Sequence, residues 1–218
     1  FWQKKKWSDQ TRLNHFKAIK AFFLWCEKKN YHYEDIMEHQ QTPSVRRTSL
    51  PRIFTLEESE KLMQASLQEK YRTIRSFIAL CLYGGLRAGE IHDDWHSETG
   101  LKWENFTLDP SEGIRPEVYI PFIGKKKINE YRYLPPKCVK ILKEEQAKGY
   151  DVIPKKNGLN RWRQIRRACG LSKVGSNVAR RTAISNFYRH NPLTGKSVTD
   201  ESVMSDQFGN TEDVRKKH

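Results

Sequence analysis

Leu82-Tyr-Gly-Gly-Leu-Arg-Ala-Gly-Glu-Ile91 is the stretch on which the reading of this chain turns. Upstream of it, Ile74, Phe77, Ile78, Cys81 and Leu82 recur at three- and four-residue steps, the signature of one helix face. The Gly84-Gly85 pair then stops the helix, because a residue without Cβ enters the left-handed conformation of a helix C-terminus at little cost. Arg87 follows closely, and Glu90 lies three positions on, within reach of Arg87 if a helical turn restarts there. Such an acid would hold the guanidinium in place and leave its other donors for a phosphate. Taken alone, the stretch reads better as an ordinary surface ion pair after a glycine cap. It has no P-loop lysine and no G-x-G-x-x-G pattern, so nucleotide binding is not expected.

Outward from this point the chain divides. Residues 9–29 have an amphipathic helical pattern, with Leu13, Phe16, Ile19, Phe22, Phe23 and Cys26 on one face. Residues 43–54 are rich in proline, serine, threonine and arginine and read as a linker. Thr55-Leu-Glu-Glu58 is a capping box, so a helix is expected from there. Between Leu101 and Pro135 the pattern changes to strand formers: Trp103, Phe106 and Leu108, then Val118 to Phe122, then Tyr131 and Tyr133. A hairpin at Gly124 and the lysines after it would join the last two. Helices are expected again at 136–147, 158–168, 177–189 and 200–207. The fold class is mainly α with a small antiparallel sheet (α+β), in three parts: a helical piece at 1–42, the linker at 43–54 and a larger domain at 55–218.

The 218 residues contain 40 Lys plus Arg against 26 Asp plus Glu, a net charge of +14. With 37% hydrophobic residues the chain is too apolar for a disordered basic tail. No apolar run approaches the roughly 20 residues of a membrane helix. Cys26, Cys81, Cys138 and Cys169 form no CxxC pair, which argues against a zinc ribbon or a disulfide framework and for a reducing compartment. The chain opens at Phe1, and a longer parent is expected.

From Lys155 to Thr199 every charged residue is basic. A second basic cluster holds Lys4, Lys5, Lys6, Arg12, Lys17 and Lys20, with only Asp9 among them. Two such patches suit a clamp on duplex DNA, where phosphate neutralisation supplies much of the affinity. The DNA-contacting set expected is Lys4, Lys5, Lys6, Arg12, Arg161, Arg163, Arg166, Arg167 and Arg181 from these patches, with Lys126 and Lys127 from the lysine run after Gly124. Trp162 lies among these arginines, but with Ile165 and Cys169 it is expected to face the core. His92 and His96 are a helical turn apart, yet a third ligand is missing and a polar loop is the better reading.

The stretch at 82–91 resembles the first signature box of the tyrosine recombinases, the phage-integrase family, commonly T-G-L-R-x-x-E. Leu101-Lys-Trp-Glu-Asn-Phe106 is similar to the family's L-x-W-x-D-I segment. Ile123-Gly-Lys-Lys-Lys-Ile-Asn-Glu-Tyr-Arg-Tyr-Leu-Pro135 resembles its lysine hairpin, G-K-x-x-K-x-R-x-V-P, about two residues longer. Asn177-Val-Ala-Arg-Arg-Thr-Ala183 resembles the second box, H-x-L-R-H-T-x-A, and Phe208-Gly-Asn-Thr211 the third, L-G-H-S. The likeness covers roughly residues 50–218, and residues 1–42 resemble the end of the family's core-binding domain.

The resemblance implies a tyrosine recombinase catalytic fold and a reaction in which a tyrosine attacks a DNA phosphodiester, forms a 3′-phosphotyrosine and releases a 5′-hydroxyl. Bond energy is conserved, so the reaction needs no ATP and no metal, and protein donors alone stabilise the five-coordinate phosphate. Arg87 and Arg180 take that role, and Lys125 that of general acid, with Lys126 and Lys127 as rivals. Asn177 and Asn210 stand where the family has histidine, and histidine or tryptophan. An amide can donate to phosphate but cannot shuttle a proton near neutral pH. The nucleophile normally follows the third-box residue by about nine positions, which lands one past His218. The last tyrosine, Tyr188, lies in the second-box helix and is expected to pack there. This fragment is therefore expected to be inactive in cleavage. The implied partners are double-stranded DNA and further copies of the chain in a synaptic tetramer, in the cytoplasm of a prokaryotic or viral host, with no membrane involved. The alternatives are a catalytically inactive DNA-binding protein on the same fold, such as a repressor or directionality factor, and a type IB topoisomerase.

Overall fold

A computed structural model describes residues 7–31, 40–44, 52–92, 100–121, 130–154, 157–171 and 174–189. The chain divides into two compact units, Phe1–Leu50 and Pro51–His218. The helix expected at 200–207 lies outside the described residues.

In the first unit, α1 spans Asp9–Lys28. The Ser8 hydroxyl caps it by accepting from the Thr11 amide at 3.2 Å. Phe16 and Cys26 are buried as expected, but Phe22 is exposed and does not belong to a buried face. Its ring packs instead along the helix surface, 5.6 Å from Phe23 and 6.2 Å from Trp25.

The second unit is built around one buried helix. After α2 (Leu56–Ala65) and the short α3 (Glu69–Arg72), α4 spans Arg75–Leu82. The Thr55 capping box closes α2 from both sides: the Glu58 amide donates to the Thr55 hydroxyl at 3.1 Å, and the Thr55 amide to the Glu58 carboxylate at 3.0 Å. Every residue of α4 is buried, not just the stripe read from the sequence. A helix apolar on nearly all sides must be enclosed, and α2, α6 and α8 enclose this one. It ends as its glycines dictate, with Gly85 at φ 67°. A Cβ at Gly84 would lie 2.9 Å from the Leu80 carbonyl oxygen.

A four-residue turn, α5 (Ala88–Ile91), follows. The segment read as a strand at Trp103 is a 3-10 turn, Trp103–Asn105, because Asn105 folds back to accept from the Lys102 amide at 2.8 Å. The sheet itself is β1 (Phe106–Thr107), β2 (Glu117–Ile120) and β3 (Glu130–Tyr133), antiparallel in that order. Ile120 pairs with Glu130, so the connection bearing the lysine run joins neighbouring antiparallel strands, although residues 122–129 lie outside the described set. Pro136 opens α6 (Pro136–Ala147) at the first helical position, where its missing N–H costs nothing. Helices α7 (Gly158–Ala168) and α8 (Ser176–Arg189) are the last elements among the described residues.

Candidate phosphate-binding site

Two arginines, one from the turn after α4 and one from α8, meet at one carboxylate. Glu90, nearly fully buried on α5, receives the Arg87 guanidinium on one oxygen at 2.5 Å and the Arg87 amide on the other at 2.7 Å. The restarted helical turn read from the sequence is what brings them together. Arg180, one turn into α8, approaches the second Glu90 oxygen at 3.6 Å. Its guanidinium also donates to the Gly85 carbonyl. Arg87 and Arg180 therefore converge, although nearly half the chain separates them.

Burial differs between the two. The Arg87 side chain is 41% exposed and that of Arg180 only 8%. Desolvation pulls the Arg180 guanidinium down to about 10, while Glu90 pushes it back up and the neighbouring positive charges of Arg87 and Arg132 lower it further. It remains charged at neutral pH. A buried cation next to an exposed one, both fixed by the same acid, can present fixed N–H donors to an oxyanion.

Asn177 lies on the first turn of α8, three residues before Arg180, and is exposed. Residues at that spacing share a helix face. Lys125 and Asn210, and with them Lys126, Lys127, Lys4, Lys5 and Lys6, lie outside the described residues.

The other DNA-contact candidates separate by exposure. Arg163, Arg167 and Arg181 are exposed, and so is Arg12, which pairs with Asp9 at 2.9 Å. Arg161 turns inward and donates to the Thr73 hydroxyl. Arg166 lies over the Trp162 ring at 5.2 Å, with its guanidinium pulled down by burial and by Arg163 and Arg167. Trp162, Ile165 and Cys169 face the core as expected. Tyr188 is 37% exposed beside the buried Phe187 on α8. His92 is buried beyond the end of α5 in an extended conformation, 5.6 Å from the Phe77 ring, so it is not on a helix. His96 lies outside the described residues, among which no group of His, Cys, Asp or Glu suits a metal ion. No described helix is long and apolar enough to cross a membrane.

Two buried charged clusters are absent from the sequence reading. Arg132 on β3 is buried and pairs with Glu130. Glu145 on α6, fully buried, takes Arg72 at 2.7 Å and Arg75 at 3.3 Å. The spacing of Cys138, Ile141, Leu142 and Glu145 places that acid on the apolar stripe of α6, which is the signal that marks it as buried.

No family model matches the chain, and no curated protein matches it. Solved structures do. The XerH site-specific recombinase in a post-cleavage complex with its palindromic difH substrate aligns at a TM-score of 0.65 and 20% identity, covering 94% of this chain. This chain spans 62% of the length of that one. The Tn1549 transposon integrase in complex with transposon right end DNA aligns at 0.64 and 11% identity, covering 99% of this chain and 80% of that one. A lambda integrase dimer bound to a COC′ core site aligns at 0.61 and 15% identity, covering 97% and 81%. Mostly helical, with its three-stranded antiparallel sheet and its arginines gathered at the end of the central helix, the chain has the tyrosine recombinase catalytic fold.

Proposed function

We propose that this chain is the DNA-cleaving and rejoining part of a site-specific recombinase or integrase, acting through a 3′-phosphotyrosine. The observation that carries the reading is the convergence of Arg87 and Arg180 on Glu90. Rigid, charged donors fixed before substrate arrives stabilise a five-coordinate phosphate without reorganisation. Asn177 adds an amide donor from the same helix as Arg180. Lys125 acts as general acid on the leaving 5′-oxygen, and Asn210 completes the donor set. The exposed Arg163, Arg167 and Arg181 hold the duplex, with the basic N-terminal cluster (Lys4, Lys5, Lys6 and Arg12) gripping it a second time. The working assembly is a tetramer on two DNA sites. The domain limits that go with this reading are 1–42 for the core-binding part and 55–218 for the catalytic part.

A second reading, a DNA-binding protein without chemistry, is favoured by one observation. Asn177 is exposed at the position where the reaction would use an imidazole, and an amide cannot exchange protons near neutral pH. A nicked suicide substrate on a denaturing gel separates the two. It is run with this chain and with a version extended at the C terminus by its native residues. The recombinase reading expects a covalent adduct from the extended protein on its own attachment site. No adduct from it there favours the binder.

A further inference from the structure

The three-stranded sheet has two unlike faces. Strand alternation turns Val118 and Ile120 into the core, where both are fully buried. The same alternation turns Tyr119, Tyr131 and Tyr133 outward. Tyr131 is 62% exposed and Tyr133 44%. Tyr131 stands opposite Tyr119 across the β2–β3 ladder, with ring centroids 5.1 Å apart. The Arg115 guanidinium lies over the Tyr133 ring at 5.7 Å. Two pairs, ring against ring and cation over ring, thus share one face of a rigid sheet. Grouped rings left in water mark a surface built to meet something.

One end of this face lies against the turn that leads from α4 to Arg87. Leu134, next to Tyr133, places its side chain 3.5 Å from where a Cβ of Gly84 would stand. Its amide donates to the Pro116 carbonyl at 2.8 Å, which brings the residues beside them, Tyr133 and Arg115, to that same end. The two strands that carry the rings also flank the run Lys125-Lys126-Lys127 in sequence.

We infer that Tyr119, Tyr131 and Tyr133, with Arg115, form a stacking platform for the bases of unpaired DNA beside the phosphate site. The inference rests on the strand-cleaving function proposed above. A cleaved strand that is rejoined elsewhere must leave its complement, and the bases next to its 5′-hydroxyl are then unpaired. Bases in a duplex hide their faces in the stack, so exposed rings meet only unpaired ones. Tyr131 offers an exposed ring, and Arg115 on Tyr133 offers a guanidinium plane, the two kinds of surface on which such bases stack. Residues two apart on a strand are separated by about 7 Å, so two bases are held at once. Arg115 also places a positive charge at the end nearest the phosphate site, where the DNA backbone arrives. Glu117, opposite Tyr133 on the same face, disfavours a phosphate over the rings and leaves them to the bases.

The test is fluorescence anisotropy with a labelled oligothymidylate and with a duplex of equal length, at about 0.2 M salt, where the phosphate-driven part of the affinity is weakened. Tyr131→Ala should bind the single strand about tenfold more weakly and leave duplex binding unchanged. Tyr131→Phe, which keeps the ring, should bind both as the unsubstituted chain does. Arg115→Ala should weaken single-strand binding about threefold. Thermal unfolding identifies the variants that fold, and Arg115→Ala, in the loop before β2, keeps the inference testable if Tyr131→Ala does not. If either alanine variant folds and binds the single strand as the unsubstituted chain does, while duplex is still bound, the platform is overturned and the DNA reading stands. Duplex binding by the unsubstituted chain without single-strand binding has the same meaning. If Tyr131→Ala keeps its single-strand affinity but sediments as a smaller species than the unsubstituted chain, the face docks protein and the platform is again overturned. If the unsubstituted chain binds neither oligonucleotide, the DNA reading falls and the platform falls with it.

Discussion

Arg180 and Glu90 meet at 3.6 Å with both side chains almost fully buried, an acid from the turn after the central helix and a base from the last described helix. An ion pair of this kind contributes little net stability when intact, because desolvating two charges offsets their attraction. Removing one partner is different. Glu90→Ala leaves Arg180 buried without its carboxylate and should cost about 3 to 5 kcal/mol in urea unfolding. A change under about 1 kcal/mol would mean the pair is more hydrated than its burial indicates.

Glu145 presents the same physics away from the site. Arg72 forks onto both of its oxygens at 2.7 and 3.0 Å, and Arg75 bonds the Met63 carbonyl at 3.1 Å, so the acid fastens α2, α3 and α4 to α6. Glu145→Ala should destabilise by about 3 to 5 kcal/mol without altering DNA affinity per folded molecule. The exposed Arg52–Glu58 pair, at 2.5 Å, offers the contrast: Arg52→Ala should cost under about 1 kcal/mol.

Salt dependence tests the exposed arginines. Arg163→Ala, Arg167→Ala and Arg181→Ala should each lower the slope of log affinity against log salt by about 1, measured by fluorescence anisotropy on duplex DNA. Arg161→Ala should leave the slope unchanged and lower the melting temperature instead, since its guanidinium is engaged by Thr73. A flat salt response from the unsubstituted chain would remove the DNA reading altogether.

The thiols give a pH prediction. Burial pushes the Cys138 thiol from 9.0 up to about 12, opposed by a hydrogen bond from the Gly84 backbone. Cys81 is pushed up as well, chiefly by burial. A folded value above the unfolded one means stability that is present in full below pH 9 and is lost as pH rises toward about 12. Cys138→Ala should flatten the fall in stability across that window. Neither thiol should react with a disulfide reagent at pH 8 until the protein unfolds, and rapid native labelling of Cys138 would contradict its burial.

Much of this was legible in the sequence, for identifiable reasons. The Thr55 box, the glycine stop after Leu82 and the Arg87–Glu90 spacing are local rules, and each appears in the structure at its expected place. The meeting of Arg87 with Arg180 was legible only through resemblance, because no local pattern relates residues so far apart. Phe22 departs from the expected buried face because periodicity reports the angle of a side chain around a helix and not whether another element covers it. Trp103 was misread because strand propensity did not account for the Asn105 side chain competing for the backbone. Arg132 was missed for a related reason: Tyr-Arg-Tyr alternates, but the face that turns inward is decided by pairing with Val118.

One bond has a use of its own. The Thr182 hydroxyl donates to the Val178 carbonyl on its own helix and accepts the Phe54 amide, both at 2.8 Å. Phe54 stands at the doorway of the second unit, just ahead of α2, and Thr182 is two residues past Arg180. The Phe54 N–H is therefore a sentinel for the seating of α8. Its hydrogen-exchange rate should follow the opening of that one helix rather than the melting of the whole unit. When an oligonucleotide occupies the arginine pair, this single amide should slow before its sequence neighbours do, turning occupancy of the site into a signal readable by mass spectrometry.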